Sequence, residues 1–455
     1  MSIRSQDRPK KKTNVFRKSE QNPVSMDAQR YLLEDKDYDE VFDFPYLKDE
    51  TVKRFLNSHG RLFFLVRGLP GSGKGPLGDL LKKHYPQSEL YWADSMFLGP
   101  NAPVRTKVTL GKSHDVCRRK MEDYMIKNVP VIINRNSNIC VWEIVPYLRL
   151  AARYGYTVIL AETSHKIRAK AEVLAQTNSR QLNAGYMRMR GGQWEEVYPM
   201  YTGWFLRPVD GLFLFRRLGR ISRLLTESGW KQAEMSHTEG QPFCLGRSCW
   251  FAQAPEDKTY CDSKEVKDAY GTVHTLSIIG YAIMSGLAVA LVALDKTQTR
   301  LLGRPKAADD DFLSMRMTAL NIQDWEPTPC VKKLSDIVLD EDNPQPLMLA
   351  KTTTVPESVS FVILGAYGKL DRPLFLKFKE IRNHWDTFRK KMLISSDGVS
   401  CKDKMKLGDV DAYRDGKEIL LLDRSVQLDS VFTGYYQPYT VPRMQPWHTS
   451  RPSWR

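Results

Sequence analysis

The sequence predicts an α/β domain built on a parallel sheet, followed by an α+β domain, and three observations carry that reading. From Arg61 to about Leu160, short apolar runs alternate with helix-period stretches, the pattern of parallel strands joined by crossover helices. A glycine-rich segment, Gly68-Leu69-Pro70-Gly71-Ser72-Gly73-Lys74, stands between the first apolar run and the next helical pattern. Beyond about Arg207 the texture changes to short strands with few helices between them. The chain has 455 residues, 42% hydrophobic and 27% charged, a composition that excludes a collagen, a disulfide miniprotein and a wholly disordered chain.

Residues 1–22 carry seven Lys/Arg, including Lys10-Lys11-Lys12, against two acids, and an acidic stretch follows at 34–40. Residues 1–41 therefore read as a disordered basic and acidic arm. Phe44-Pro45-Tyr46-Leu47 leads into a helical pattern from Asp49 to Leu56, and Arg61–Val66 is the first buried strand. Pro130–Ile133 and Tyr156–Leu160 are further strands of the same kind. The first domain is placed at 42–207. The second, 208–436, opens on a basic amphipathic helix over 211–231 that carries Arg216, Arg217, Arg220 and Arg223. Strands are expected at 273–284, 287–294, 359–364 and 418–422, a helix at 374–391, and polar, proline-bearing loops within 297–355. Residues 437–455 read as a disordered tail.

Leu276–Leu294 holds no charge over nineteen residues, long enough for a marginal membrane helix. Ser285-Gly286 divides it into two runs of strand length, and Gly280 and Gly286 disfavour a helix. Two buried antiparallel strands with a tight turn are the expectation. Seven cysteines, at 117, 140, 244, 249, 261, 330 and 401, include no Cys-x-x-Cys pair. They read as reduced thiols of a cytoplasmic protein, with neither a disulfide framework nor a metal site. The formal charge of +15 points to a polyanionic partner without naming it.

Gly68 to Lys74 has the form of a phosphate loop. Gly68, Gly71 and Gly73 let backbone N–H groups turn inward at an anion, Ser72 lies within the turn, the following helix adds its N-terminal dipole, and Lys74 supplies a cation. The position after the lysine normally carries a hydroxyl that binds Mg²⁺. Here it is Gly75, followed by Pro76. The loop is thus expected to hold phosphate, with ATP or GTP bound weakly, and not to transfer it efficiently.

Phe44-Pro45-Tyr46-Leu47, Leu65–Lys74, Trp92-Ala93-Asp94, Gln181-Leu182-Asn183-Ala184, Tyr201–Leu206 and Val431–Tyr436 together resemble the 2',3'-cyclic-nucleotide 3'-phosphodiesterase (CNPase) family, in family order. The resemblance implies a polynucleotide-kinase-like P-loop domain and a two-histidine phosphoesterase-like domain. In the latter, two His-x-Thr motifs would supply a general base and a general acid, with no metal required and a 2'-phosphate as product. It also implies that Asp94 stands where related kinases hold a carboxylate near the substrate hydroxyl.

The same resemblance exposes departures. An Asp-Asp-Thr-Asn is expected where the sequence reads Arg135-Asn136-Ser137-Asn138, so two acids are missing and a cation has entered. The nearest candidate for the first His-x-Thr is His237, followed two residues on by Glu239 instead of Thr. The second motif is replaced outright, with Phe361 at the His position and Ile363 at the Thr position. His274 lacks the spacing and reads as a surface or core residue. The leading expectation is a CNPase-like protein that binds nucleotide or RNA phosphates with impaired or lost catalysis. Two alternatives stand beside it. One is an active phosphodiesterase working through His237 on 2',3'-cyclic nucleotides. The other is a scaffold for cytoskeletal or membrane partners, here without a prenyl membrane anchor, since the last residues carry no Cys-a-a-X box.

Overall fold

The computed structural model describes residues 42–163, 170–230, 235–237, 241–303, 346–351, 355–356, 359–367, 374–393 and 403–436. The arm, the tail, Thr238, Glu239, Cys330 and most of the loop region within 297–355 lie outside the described residues.

In chain order the elements are α1 (Pro45–Lys48), α2 (Glu50–Asn57), β1 (Leu62–Arg67), α3 (Lys74–His84), β2 (Ser88–Tyr91), α4 (Lys107–Ile126), β3 (Val131–Asn134), α5 (Val141–Tyr154), β4 (Thr157–Glu162), α6 (Ala171–Thr177), α7 (Ala184–Gly191), β5 (Tyr201–Leu206) and α8 (Pro208–Glu227). They continue with β6 (Met235–His237), β7 (Phe243–Ser248), α9 (Pro255–Asp262), α10 (Lys264–Ala269), β8 (Val273–Met284), β9 (Leu287–Ala293), α11 (Lys296–Leu301), β10 (Leu347–Lys351), β11 (Val359–Tyr367), α12 (Leu374–Leu393), β12 (Asp403–Leu407), β13 (Val410–Asp415) and β14 (Glu418–Tyr435).

The first sheet has the order β2-β3-β1-β4 and is parallel throughout. β1 lies inside it with all six residues buried, which is why the run reads as continuously apolar instead of alternating. The chain leaves the carboxyl end of β1 straight into the glycine-rich loop and α3, where open α/β sheets place their ligands. α2 begins at a side-chain cap, Asp49 accepting from the N–H groups of Thr51 and Val52.

The second sheet is antiparallel, and its pairings close on themselves as β14-β5-β7-β11-β9-β8-β14. The uncharged stretch forms β8 and β9, with Ser285 (φ 50°) and Gly286 (φ 75°) making the turn between them. Among the described residues no helix is long and apolar enough to cross a membrane. One face of this sheet packs on α8 through Leu214, Leu218, Ile221 and Leu225. The other shares a single apolar core with α12, with α1 and α2, and with the first sheet. Polar ties cross the same boundary: Thr433 Oγ1 donates to the Val158 carbonyl (2.9 Å), and the Leu160 N–H donates to the Tyr270 hydroxyl (3.1 Å).

Three differences from the sequence reading have physical causes. The second sheet takes its first strand from β5, which ends one residue ahead of the boundary drawn at 207. All six residues of β5 are buried, because its two faces lie in two apolar cores, Tyr201 and Phe205 in one and Trp204 and Leu206 in the other, while β7 and β14 pair its two edges. The strand expected at 418–422 runs on to Tyr435, since the polar break at Asp423-Arg424-Ser425 is satisfied in place. Asp423, 1% exposed, accepts two bonds from Arg217, at 2.6 and 2.8 Å. That pairing also withdraws Arg217 from the basic patch of α8, whose Arg216, Arg220 and Arg223 remain exposed. The five cysteines among the described residues are buried free thiols.

Candidate phosphate-binding site

The loop at Gly68–Gly73 is shaped by its surroundings as much as by its own sequence. A side chain at Gly68 would collide with Thr163 Oγ1 and Ser72 Oγ, which bond to each other at 2.6 Å across the loop. Gly73 caps α3 in the left-handed region, φ 88°, a conformation open to glycine at no steric cost. The Gly71 carbonyl is held by Thr177 Oγ1 of α6 at 3.0 Å. The first N–H groups of α3, at Lys74 and Gly75, have no partner within the helix and add to its positive end.

Behind the loop, Arg67 is fully buried. It donates to the carbonyls of Asn138 (2.7 Å), Ile139 (3.3 Å) and Glu195 (2.7 Å), pairs with Glu162, and lies 4.4 Å from the Trp194 ring centroid. This one side chain therefore ties β1, the turn after β3 and the segment after α7 together beneath the loop.

Lys74 is half-buried and donates to the Leu69 carbonyl at 2.7 Å, so its ammonium sits in the mouth of the loop. Burial is the chief cause that pushes its pKa down to about 7, and the charges of Arg180, Arg135 and Arg190 act in the same direction against Glu143. Arg190 is oriented by Glu143 at 2.8 Å, whose other oxygen accepts from the Ile139 N–H at the start of α5.

Two of the departures noted in the sequence meet each other. Arg135 Nη1 donates to the Gly75 carbonyl (2.9 Å) and to Asp79 Oδ1 (2.7 Å), and the guanidinium lies 3.7 Å from the ring centroid of Trp92. A side chain at Gly78 would press on Arg135 Cδ, so this glycine opens the face of α3 that Arg135 covers. Asn136 is buried and structural: it accepts from the Ala93 N–H (2.8 Å) and donates to the Tyr147 hydroxyl (2.9 Å). Asp94, just beyond, is paired with both Arg105 (2.8 Å) and Arg180.

These residues do not fit a bound Mg²⁺. Gly75 offers no hydroxyl, a guanidinium stands at position 135 where a carboxylate is expected, and Asp79 and Asp94 are engaged by arginines. Among the described residues no three His, Cys, Asp or Glu side chains converge to hold a metal. Lys74 and the first N–H groups of α3, with Arg135, Arg180 and Arg190 each paired to a carboxylate beside them, make a donor-rich setting for anions.

The second sheet places the other candidate residues differently. Phe361 is 2% exposed and meets the Trp385 ring edge to face, 5.4 Å between centroids. Ile363 is buried on the same side of β11, against α12. His237 ends β6, at the register position opposite Gly365 of β11, four residues along from Phe361. His274 is half-buried beside Trp204 and Phe432 with its Nε2 3.0 Å from Thr272 Oγ1, and burial lowers its pKa. Arg382 donates to the Gly246 carbonyl at 3.2 Å while its side chain stays exposed.

The structure thus gathers Gly68, Gly71, Ser72, Gly73, Lys74, Gly75 and Arg135 into one site, with Asp94 bound to arginines nearby. It places Phe361 and Ile363 in a packed core. Sequence reasoning had Trp92 only as part of the family resemblance and missed Asp79, Thr163, Thr177, Arg180 and Arg190. Gly78 within a helical pattern was a signal for the close approach of Arg135, whereas Arg180 and Arg190 had none.

No family model matches the chain. It is 25% identical over 295 residues to the 2',3'-cyclic-nucleotide 3'-phosphodiesterase of Mus musculus, a match that covers 58% of this chain and 68% of the relative. It is 29% identical over 130 residues to human NEDD4-binding protein 2, covering 28% of this chain and 7% of that protein. Among solved structures, a fungal RNA kinase aligns over 83% of this chain and 99% of its own, at 10% identity and a TM-score of 0.22, a score that carries no argument. The chain is accordingly similar to the phosphodiesterases over part of its length, and its first sheet is a parallel α/β sheet.

Proposed function

We propose that this chain is a CNPase-like protein that binds nucleotide or RNA phosphates at the Gly68–Lys74 loop and has lost both metal-dependent transfer and cyclic-phosphate hydrolysis. The observation that carries the reading is the bond between Arg135 and Gly75. It sets a guanidinium, itself paired with Asp79, beside the helix N-terminus, at the two positions whose residues would otherwise organise a metal. A phosphate entering the loop would meet the N–H groups of α3, the Lys74 ammonium and nearby arginines, all of them donors. ATP or GTP would then bind weakly, through phosphate oxygens, with or without a divalent cation.

The partial likeness to cyclic-nucleotide phosphodiesterases supports RNA or nucleotide ligands. The burial of Phe361 beneath Trp385 supports lost hydrolysis, since in-line cleavage needs proton carriers on both sides of phosphorus and a phenyl ring carries none. The domain reading, 42–207 for the P-loop unit and 208–436 for the phosphoesterase-like unit, belongs to the same proposal, with the β5 strand shared into the second sheet. Incubation with 2',3'-cyclic NADP and with RNA ending in a cyclic phosphate tests it. No turnover above the uncatalysed rate is expected. Turnover that His237→Ala abolishes would overturn the reading.

A further inference from the structure

A recess of about 520 Å³ lies between α2 and the C-terminal end of α3, lined by Glu50, Lys53, Arg54, Asn57, Lys83, His84 and Pro86. Its floor is fixed by Asn57, whose Nδ2 donates to the carbonyls of Lys53 (3.0 Å) and His84 (3.1 Å) and so binds the two helix ends together. Lys53 is paired with Glu50, while Arg54 and Lys83 are exposed and have no carboxylate partner among the described residues.

Helix ends attract cations for their own sake, so the charges must be counted. Lys53, Arg54 and Lys83 supply three positive charges and Glu50 removes one. Each of the two helix C-termini contributes roughly half a negative charge. About one positive charge is left over even with His84 neutral, more than capping the helices requires. No aromatic side chain lines the recess, so a base would have nothing to stack on.

We propose that this recess is a second phosphate-binding site, separate from the loop, that recognises phosphate groups without reading a base. α3 joins the two sites. Its eleven residues span about 16 Å at ~1.5 Å per residue, so a single phosphate cannot touch both. The ligand is either a free phosphate compound or the backbone of a strand long enough to pass along α3.

Calorimetric titration at low salt tests the proposal in protein carrying Lys74→Ala, with inorganic pyrophosphate as one probe and a short oligouridylate as the other. Arg54→Gln with Lys83→Gln, both at exposed positions, is then added to the same background and its fold checked by circular dichroism. Binding of pyrophosphate that weakens at least about tenfold in the added variant, the size expected from losing charge-assisted bonds, supports the site with a free phosphate compound as ligand. Binding of the oligouridylate alone, weakened likewise and with a shallower salt dependence, supports the site with a strand as ligand. If neither probe binds the Lys74→Ala protein, or if both bind the added variant unchanged, the proposal is overturned. The loop reading fails separately, when the wild type and Lys74→Ala bind nucleotide alike.

Discussion

Arg135 and Gly75, sixty residues apart in sequence, are joined by a 2.9 Å bond from the guanidinium to the Gly75 carbonyl, while Trp92 covers the other side of the guanidinium. Each residue alone is a loss from a nucleotide-binding loop, of a hydroxyl at 75 and of an acid at 135. Together they form a stacked, hydrogen-bonded cation fixed on the first turn of α3. The bond uses a backbone carbonyl that any residue at 75 would offer, so the two positions couple only through a cation that both would help to hold.

Metal dependence is expected to return only when both are reverted. The space above Gly75 is open, so Gly75→Thr fits without collision, yet Arg135 still opposes a cation there. Arg135→Asp alone removes the guanidinium but leaves no hydroxyl. The double variant should bind ATP more tightly with Mg²⁺ than with EDTA, and neither single variant should. Calorimetry across the four proteins measures the coupling directly.

Anion affinity should fall as pH rises through neutrality. Lys74 has a pKa of about 7 in the folded protein because burial opposes its charge, and a bound phosphate favours the charged form. Above about pH 7 binding must therefore take up a proton, and affinity drops by up to about tenfold per pH unit. Stability of the free protein runs the other way. The unfolded chain keeps the Lys74 proton up to its ordinary pKa, so this residue's contribution rises with pH between about 7 and 10.5. ATP titrations from pH 6 to 9 check the first sign, and urea unfolding from pH 7 to 10, with Lys74→Ala as the flat control, checks the second.

Phe361→Ala should cost about 3–5 kcal/mol, the range for emptying a buried aromatic site, because it vacates the contact with Trp385. Phe361→His should also destabilise the fold and restore no hydrolysis of 2',3'-cyclic NADP, since the ring would lie in a packed core. Urea unfolding and the hydrolysis assay read the two outcomes.

Arg67→Met should destabilise by about 3–5 kcal/mol, the usual result of stripping one partner from a buried ion pair. It leaves Glu162 without its guanidinium and three carbonyls without their donor. Thermal unfolding measures the loss. Nucleotide affinity should fall with it, because the loop rests on this side chain.

Much of the first sheet was legible because its strands are buried on both faces and so appear as uninterrupted apolar runs, with β1, β3 and β4 found within a residue or two. The turn at Ser285-Gly286 was legible for the opposite reason, as a polar and glycine break in apolar sequence. β5, β7, β12 and β13 were not named as strands, and β14 was read short. The polar break within β14 is satisfied by a distant partner, as Asp423 is by Arg217, and nothing local announces that. At the site, the glycines and Lys74 are contiguous and announce themselves. Trp92, Thr163, Arg180 and Arg190 arrive from four separate segments, and their convergence is a property of topology.

The most direct test of the central claim is the affinity of the full chain for ATP in EDTA, measured beside the same titration in Mg²⁺ and beside Lys74→Ala. The account predicts binding in EDTA within about twofold of that in Mg²⁺, the loop's charged donors standing in for the metal, and clearly weaker binding in both conditions with Lys74→Ala. Binding that requires Mg²⁺, or that survives Lys74→Ala unchanged, would contradict it.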